Sequence, residues 1–280
     1  MKVELHSHTH YSKGEKIRIE GLNSPKEMVR QAKRLGLDAI AITDHNEFRG
    51  AIEAEKEGRK IGITVIKGEE ITIAGDRHVL GLGLTEKIKR DLSLEETLDA
   101  IKAQGGISIA PHPFDLANKG IREKAPKCDA IEAFNAINLD RFSNRSAKKF
   151  ALEKNLVTVA GSDAHCIEML GYGLTEIKAC NNADSIIHAI KNGNTKPVGT
   201  YVPISVIEYW SLKRFNASYS QVMDYIYRHY SAPKRWVAEH LLALTKKSPG
   251  KIDYFFKGLA YFSFGTAIFY SAAKNAKNLI

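Results

Sequence analysis

Polar clusters of metal-binding residue types recur along this chain, each directly after a short apolar run. The first, His6-Ser7-His8, closes such a run, and side chains two apart on a strand project to the same side. Both imidazoles can therefore meet one ion. The remaining clusters are Thr43-Asp44-His45, Gly68-Glu69-Glu70, Pro111-His112-Pro113 and Gly161-Ser162-Asp163-Ala164-His165. This pattern requires a fold in which the ends of several strands converge on one point.

Short β-rich runs alternate with helical patterns through about residue 180, which predicts a mostly parallel sheet with helices outside it. Predicted strands are residues 2–6, 39–42, 63–66, 69–73, 78–83, 107–110, 130–134 and 157–160. Predicted helices are residues 25–35, 48–60, 94–104, 140–154 and 184–200, the last ending near Gly193. Ser24-Pro25 and Ser93-x-x-Glu96 are typical helix starts. We expect an α/β barrel rather than an open sheet, because a closed ring brings strand ends together more easily.

The bulk properties fit a globular hydrolase domain. A chain of 280 residues has room for one large α/β domain, or for a domain with an appendage. Its three cysteines are scattered and form no CxxC pair, which suits a reducing compartment. The first strand begins at once and carries polar residues, so no secretory signal peptide is predicted. We therefore expect a cytoplasmic location.

The composition changes after about residue 200. Residues 201–280 hold 11 Lys/Arg against four Asp/Glu, and 17 of the 24 aromatic residues, including both tryptophans. This contrast predicts a hydrolase domain over residues 1–200 and a basic, aromatic-rich helical extension over residues 201–280. Predicted helices of the extension are residues 204–215, 219–229, 232–246 and 251–279.

Three roles are open for this extension. Aromatic residues at helical spacing favour a cap packed on the barrel. The apolar stretch 254–273, flanked by lysines, is also long enough for a membrane-surface contact through residues 251–280, which would make the protein peripheral at a membrane. Basic residues interleaved with aromatic ones are, thirdly, typical of nucleic-acid binding. The sequence does not indicate an oligomeric state.

The clusters have the chemistry of a hydrolytic site with two or three divalent ions. Such a site needs imidazoles to hold the ions and carboxylates to bridge them and offset their charge. A single histidine is more often structural, but the joint pattern indicates a metal-dependent hydrolase, in which paired ions ~3.5–4 Å apart activate a water. The candidate ligands are His6, His8, His45, Glu70, His78, His112, Asp163 and His165.

In order and spacing, these motifs resemble the polymerase and histidinol phosphatase (PHP) family over about residues 2–200. The resemblance rests on His6-Ser7-His8-Thr9, Thr43-Asp44-His45, Gly68-Glu69-Glu70-Ile71, His112-Pro113 and Gly161-Ser162-Asp163-Ala164-His165. It implies a distorted (β/α)₇ barrel, two or three bound divalent ions (zinc, manganese or iron) and phosphoesterase activity.

The resemblance also implies roles for single residues. His6, His8, Glu70 and Asp163 would hold the first ion. Glu70 would bridge to a second ion held by His78 and His112, and His45 and His165 would serve a third. Glu70, Asp163 and His165 are the residues to which it assigns catalysis. Glu70 rather than Glu69 fits the family's Gly-x-Glu spacing.

One position departs from the family pattern, which continues His-x-His-Thr-x-x-Ser-Asp-Gly. Here Lys13 stands where the acidic ligand of the third ion should be, and a protonated lysine cannot bind a metal. Three interpretations are open: the third site is absent, His10 replaces the acid, or Lys13 faces a substrate phosphate. Arg49 and Arg77 are further candidates for contacts to a phosphate.

Together these features predict a metal-dependent phosphoesterase that acts on a small phosphorylated metabolite or nucleotide through an activated water. One alternative is a nuclease that holds a strand with its basic extension, and its affinity would depend steeply on salt. Another is a catalytically altered metal-binding module, which Lys13 weakly favours. A third is an amidohydrolase, because similar sites hydrolyse other polarised bonds.

Overall fold

The computed structural model describes residues 1–14 and 17–277. The strands are β1 (Lys2–Glu4), β2 (Ala39–Ile42), β3 (Thr64–Ile73), β4 (Arg77–Leu82), β5 (Ile107–Ala110), β6 (Ala130–Asn135), β7 (Thr158–Gly161), β8 (Gly173–Ile177) and β9 (Thr195–Gly199). The α-helices are α1 (Pro25–Arg34), α2 (Arg49–Ile61), α3 (Leu94–Ala103), α4 (Phe142–Glu153), α5 (Ala183–Lys191), α6 (Ile204–Ala217), α7 (Tyr219–His229), α8 (Ala232–Thr245) and α9 (Ile252–Lys277). Two short 3₁₀ segments lie at Arg122–Lys127 and Ile167–Met169.

The described strands form one sheet that curls into a nearly closed barrel. Their order is β7-β6-β5-β4-β3-β2-β1-β8-β9. Where β7 meets the other end of the sheet, the Thr195 hydroxyl donates to the carbonyl oxygen of Thr158 (2.8 Å), and the Ala160 N–H donates to the Thr175 hydroxyl (2.9 Å). The expected distorted α/β barrel with a C-terminal helical extension is confirmed.

Three details of the predicted strands were wrong. The sheet is mixed rather than mostly parallel, because β4, β8 and β9 run antiparallel to their neighbours. The two strands predicted around Gly68 are one strand, β3; a side chain at Gly68 would meet the carbonyl oxygen of Gly81 at 2.8 Å, so glycine lets β4 pair closely there. The last predicted helix does end near Gly193, where a φ of +73° turns the chain after α5, but residues 195–199 of the predicted segment 184–200 form β9.

The two ends of the barrel differ in what covers them. Buried residues of β1, β2, β4 and β5 form one cluster, and Ile186 and Ile190 of α5 belong to it. The Thr64 hydroxyl, at the start of β3, donates to the side-chain oxygen of Asn181 just before this helix (2.8 Å). Helix α5 therefore covers the amino-terminal end of the strands, and the carboxyl end is left for the polar clusters.

The C-terminal helices pack on the barrel and on one another. The Ser271 hydroxyl of α9 donates to Asp140 before α4 (2.8 Å), and Trp210 of α6 is buried against barrel loops. A largely apolar cleft of about 850 Å³ is lined by α6–α9 together with residues 115–117 and 137–140. Among the described residues, no helix combines the length and hydropathy needed to cross a membrane. Residues 278 and 279 of the predicted last helix lie outside the described residues.

Candidate metal centre

The carboxyl-terminal end of the barrel brings all eight candidate ligands together. His6 and His8 follow β1, His45 follows β2, and Glu70 and His78 lie on the paired strands β3 and β4. The other three, His112, Asp163 and His165, follow β5 and β7. Seven of the eight side chains are buried, and His45 is half-buried.

Glu70 stands at the middle of this cluster. Its Oε1 atom lies 2.9 Å from His78 Nδ1 and 3.0 Å from His112 Nε2. Its Oε2 atom lies 3.1–3.3 Å from nitrogens of three further imidazoles, those of His6, His8 and His45. Burial opposes ionisation, but the surrounding imidazoles, His45 first, hold the pKa of Glu70 well below its usual range. Each oxygen of the carboxylate thus faces its own group of imidazoles, as a bridging ligand requires.

Asp163 faces the same imidazoles from the opposite wall. Its Oδ1 atom lies 3.2 Å from His8 Nε2 and 3.4 Å from His6 Nε2. Its backbone is left-handed (φ +52°), and so is that of His112 (φ +28°). Such conformations are uncommon for residues other than glycine, and they cluster at functional sites where the surrounding structure holds them in place.

Hydrogen bonds from outside the cluster decide which ring nitrogen of each imidazole faces inward. His8 Nδ1 donates to Ser12 Oγ (2.9 Å), and the Ser12 hydroxyl donates to Asp44 (2.9 Å). His6 Nδ1 lies 3.1 Å from Glu132 Oε1, while Glu132 Oε2 accepts the N–H of His112 (2.8 Å). The Nε2 atoms of His6 and His8 are therefore the ring nitrogens that face the cluster.

His165 is oriented through the main chain of the same loop. Its Nδ1 donates to the carbonyl oxygen of Asp163 (2.9 Å), which leaves Nε2 as its acceptor nitrogen. Burial and the neighbouring charge of His8 lower the pKa of His165 to about 3, so the imidazole is neutral. A neutral imidazole is the form that binds metal ions.

The donor set fits divalent metal ions. His8 Nε2 and His112 Nδ1 are buried and make no hydrogen bond with any described residue, although His8 Nε2 lies beside two carboxylates. Buried polar atoms are normally satisfied, so these orphan nitrogens indicate partners that the described residues do not supply. In the four groups His6–His8–Glu70, His6–His112–Asp163, His45–Glu70–His78 and His8–His45–His165, all ligand atoms lie within 4.8 Å of one another.

The four remaining candidates lie elsewhere. His10 and Lys13 are exposed. Arg49 donates to Glu47 Oε2 (2.6 Å) and lies over the ring of Tyr11, and Arg77 donates to the carbonyl oxygens of Asn118 and Gly120. Neither arginine contacts the described histidine cluster.

Sequence reasoning missed two further acidic residues that contact this cluster. Glu132 lies inside a predicted strand, and an isolated carboxylate in an otherwise apolar run is the signal that could have revealed it. Glu20 Oε2 lies 3.3 Å from His45 Nε2, but Glu20 stands in an irregular loop with no pattern around it.

Helix α6 covers one side of the cluster, which sequence reasoning did not anticipate. The ring of Trp210 lies 4.9 Å from that of His165, and Trp210 Nε1 donates to the carbonyl oxygen of Glu20 (2.6 Å). The guanidinium of Arg214 lies over the Trp210 ring at 4.0 Å. These contacts depend on the docking of a helix about 200 residues from β1, so no local signal marks them.

Comparison with known proteins agrees with this geometry. The chain is 38% identical over 153 residues to an uncharacterized protein of Methanocaldococcus jannaschii, covering 52% of this chain and 89% of that protein. A second uncharacterized protein of the same organism is 31% identical over 190 residues, covering 65% and 72%. The solved structure of PsfC from Pseudomonas syringae has a similar fold (TM-score 0.56, 20% identity), covering 77% of this chain and 98% of that one. The PHP domain family profile matches residues 4–279, and the chain therefore belongs to the PHP domain family.

Proposed function

We propose that this protein is a metal-dependent phosphoesterase that hydrolyses the phosphate ester of a small metabolite or nucleotide. Membership of the PHP family and the buried cluster of histidines and carboxylates support a metal-dependent hydrolase. When bound, divalent ions would polarise a water and the substrate oxygens. The preference for a phosphate ester rests on the charged groups around the cluster.

Some residues of the site would offset the charge of the ions, and others would orient the ligands that hold them. Glu70 and Asp163, kept ionised by the imidazoles around them, would offset the positive charge at the centre. The Ser12–Asp44 pair and Glu132 would hold His8 and His6 with Nε2 turned inward. These partners would keep the ligands in place as charge develops on the substrate, so little reorganisation is needed during the reaction.

The single observation that favours a phosphate ester is Arg214. Its Nε atom is buried without a hydrogen-bond partner. Glu20 is the carboxylate whose charge acts on its guanidinium, but within residues 1–14 and 17–277 no carboxylate forms an ion pair with it. A buried cation normally has a partner, and a planar guanidinium matches two oxygens of a phosphate. Trp210 lies between this guanidinium and the ring of His165. An anionic substrate group bound at the cluster would therefore lie near Arg214.

A substrate panel tests the proposal. The purified protein, loaded in turn with Mn²⁺, Fe²⁺ and Zn²⁺, is assayed against phosphomonoesters, nucleotides, single-stranded DNA and N-acyl amides. We expect turnover of phosphomonoesters, and a fall of at least tenfold in kcat/KM for Arg214→Met with the metal content unchanged. Arg228→Met in α7, distant from Trp210 in the chain, serves as the matched control. Turnover of amides alone, or of DNA alone, would contradict the proposal.

A further inference from the structure

We propose that Glu20 supplies the acidic ligand that the family pattern has at the position of Lys13, and so completes a third cation site with His45 and His165. This inference rests on the proposed metal-dependent function and extends it to the number of ions. It replaces the three interpretations that the sequence left open at Lys13.

The geometry places the Glu20 carboxylate on the outer side of His45. Glu20 Oε2 lies 3.3 Å from His45 Nε2, while the other ring nitrogen, Nδ1, lies 3.1 Å from Glu70 Oε2. The imidazole thus stands between two carboxylates. The ligand atoms of His45 lie within 4.8 Å of those of His8 and His165. Through His45, Glu20 therefore borders a group that consists of imidazoles alone.

The loop around Glu20 holds it in this position. Its carbonyl oxygen accepts a hydrogen bond from Trp210 Nε1 (2.6 Å), and its N–H donates to the carbonyl oxygen of Ser12 (3.4 Å). A side chain at position 14 would meet Glu20 Oε1 at 2.4 Å, so Gly14 leaves the space that the carboxylate occupies. The main chain of the loop and α6 together fix the approach of this side chain.

The other two residues considered for this role do not reach the centre. Lys13 is exposed, and the ring of His10 is exposed and packs against Tyr11, with 4.5 Å between the ring centroids. Neither side chain contacts the histidine cluster within the described residues. Among the described residues of this loop, Glu20 is thus the carboxylate that contacts a candidate ligand.

The charge at this edge also favours a carboxylate ligand. Imidazoles add no negative charge to offset a divalent ion, and hard or borderline cations prefer sites that include carboxylate oxygen. Glu20 is half-buried and makes no ion pair with a lysine or arginine in the described part of the chain. Arg214 interacts with this carboxylate at longer range but forms no ion pair with it, so the Glu20 oxygens stay available to a cation bound beside His45.

The test counts the ions bound per chain. The full-length protein and its variants are loaded with Mn²⁺, freed of excess metal, and analysed by inductively coupled plasma mass spectrometry. We expect about three ions in the unaltered protein, about two in Glu20→Gln, and about three in the matched control Glu53→Gln. Glu53 accepts the Tyr11 hydroxyl beside the same loop but contacts none of the histidines.

Two further variants make the result decisive. Lys13→Asp should leave the count at about three, because Glu20 already fills the site. Glu20→Asp, one methylene shorter, should fold like the unaltered protein and lose the third ion more readily to a chelator. Thermal melting of each variant checks that the fold is intact.

The outcomes separate this inference from the proposed function. An unchanged ion count in Glu20→Gln overturns the inference and leaves the function standing. The same holds if the unaltered protein binds two ions and Lys13→Asp binds three. If the unaltered protein binds no Mn²⁺, Fe²⁺ or Zn²⁺, then the inference and the proposed function both fail.

Discussion

At the residue scale, hydrogen-bond partners decide whether a cluster of histidines can hold metal ions. An imidazole is a ligand only through a nitrogen that carries no proton, so its second nitrogen must be occupied by an acceptor. Glu132 does this for His6, and Ser12 does it for His8. Glu132 also accepts the N–H of His112, so one carboxylate orients ligands from β1 and β5.

We therefore expect Glu132→Gln to weaken metal binding without removing a ligand. The amide has the same shape but can present its NH₂ to His6 Nδ1, which would favour the wrong tautomer. Removing such a partner typically lowers metal affinity ~10–100-fold. Competition with a chromophoric chelator measures this change, and Glu153→Gln at the exposed end of α4 is the matched control. Equal affinities for the two variants would show that Glu132 does not orient His6.

Asp163 should have a larger effect, since it would be a ligand itself. We expect Asp163→Ala to abolish hydrolysis and to lower the metal content, while the circular dichroism spectrum stays that of a folded protein. The reason is the contact of its Oδ1 atom with both His6 and His8. Alanine also disfavours the left-handed backbone at this position, so a modest fall in Tm is expected. Activity close to that of the unaltered protein would rule out Asp163 as a ligand.

At the scale of elements, the sequence predicted those parts of the barrel that carry local signals. Helices α1 and α3 begin at the expected serines, where Ser24 and Ser93 each form a capping box. The antiparallel pair of β8 and β9 was missed because the sequence of β8 shows only weak alternation and β9 contains Pro197. Proline is tolerated there because β9 is the edge strand of the sheet. Positions such as that of Trp210 follow from tertiary packing, which no local pattern encodes.

The close packing of β8 against the end of β7, next to the metal centre, can be tested by substitution. A Cβ atom at Gly173 in β8 would lie 2.1 Å from the carbonyl oxygen of Gly161, just before the loop of Asp163 and His165. We expect Gly173→Ala to destabilise the protein by about 1–3 kcal/mol or more, as overpacking does. Gly258→Ala in α9, where a Cβ atom meets nothing within 4 Å, should be neutral or stabilising by up to ~1 kcal/mol. Urea unfolding compares the two variants, and equal stabilities would contradict the packing described.

At the scale of the whole molecule, the C-terminal extension has two roles. It contributes side chains to the metal centre, and it lines the apolar cleft between the helices and the barrel. Helix α6 places Trp210 and Arg214 beside His165, and α9 lines the apolar cleft with Phe256, Leu259 and Phe264. The other face of α9 is exposed at Tyr254 (80%), Phe262 (70%) and Phe269 (77%). The cap and the membrane-surface contact proposed for this extension would therefore use different faces of α9.

Deleting residues 251–280 separates these two roles. Loss of the inner face would open the cleft, so we expect a lower Tm and increased binding of the dye ANS. If the outer face also contacts a membrane, the full chain, but not the truncated one, sediments with vesicles of phosphatidylserine and phosphatidylcholine. The matched variant Tyr254→Ser/Phe262→Ser/Phe269→Ser changes the outer face alone. A truncated protein with unchanged Tm and no ANS binding would contradict the role of α9 as a cap.

One tryptophan is buried beside the metal centre and the other is exposed to solvent. Their fluorescence can therefore report on the metal centre. Trp210 packs between His165 and the guanidinium of Arg214, whereas Trp236 is 63% exposed. Emission from Trp210 should therefore respond when His165 changes its bonding partner, while Trp236 contributes a constant, red-shifted background. In Trp236→Phe the remaining fluorescence would come from a single indole at the edge of the metal centre. Stopped-flow fluorescence could then time the arrival of ions and phosphate without any added dye.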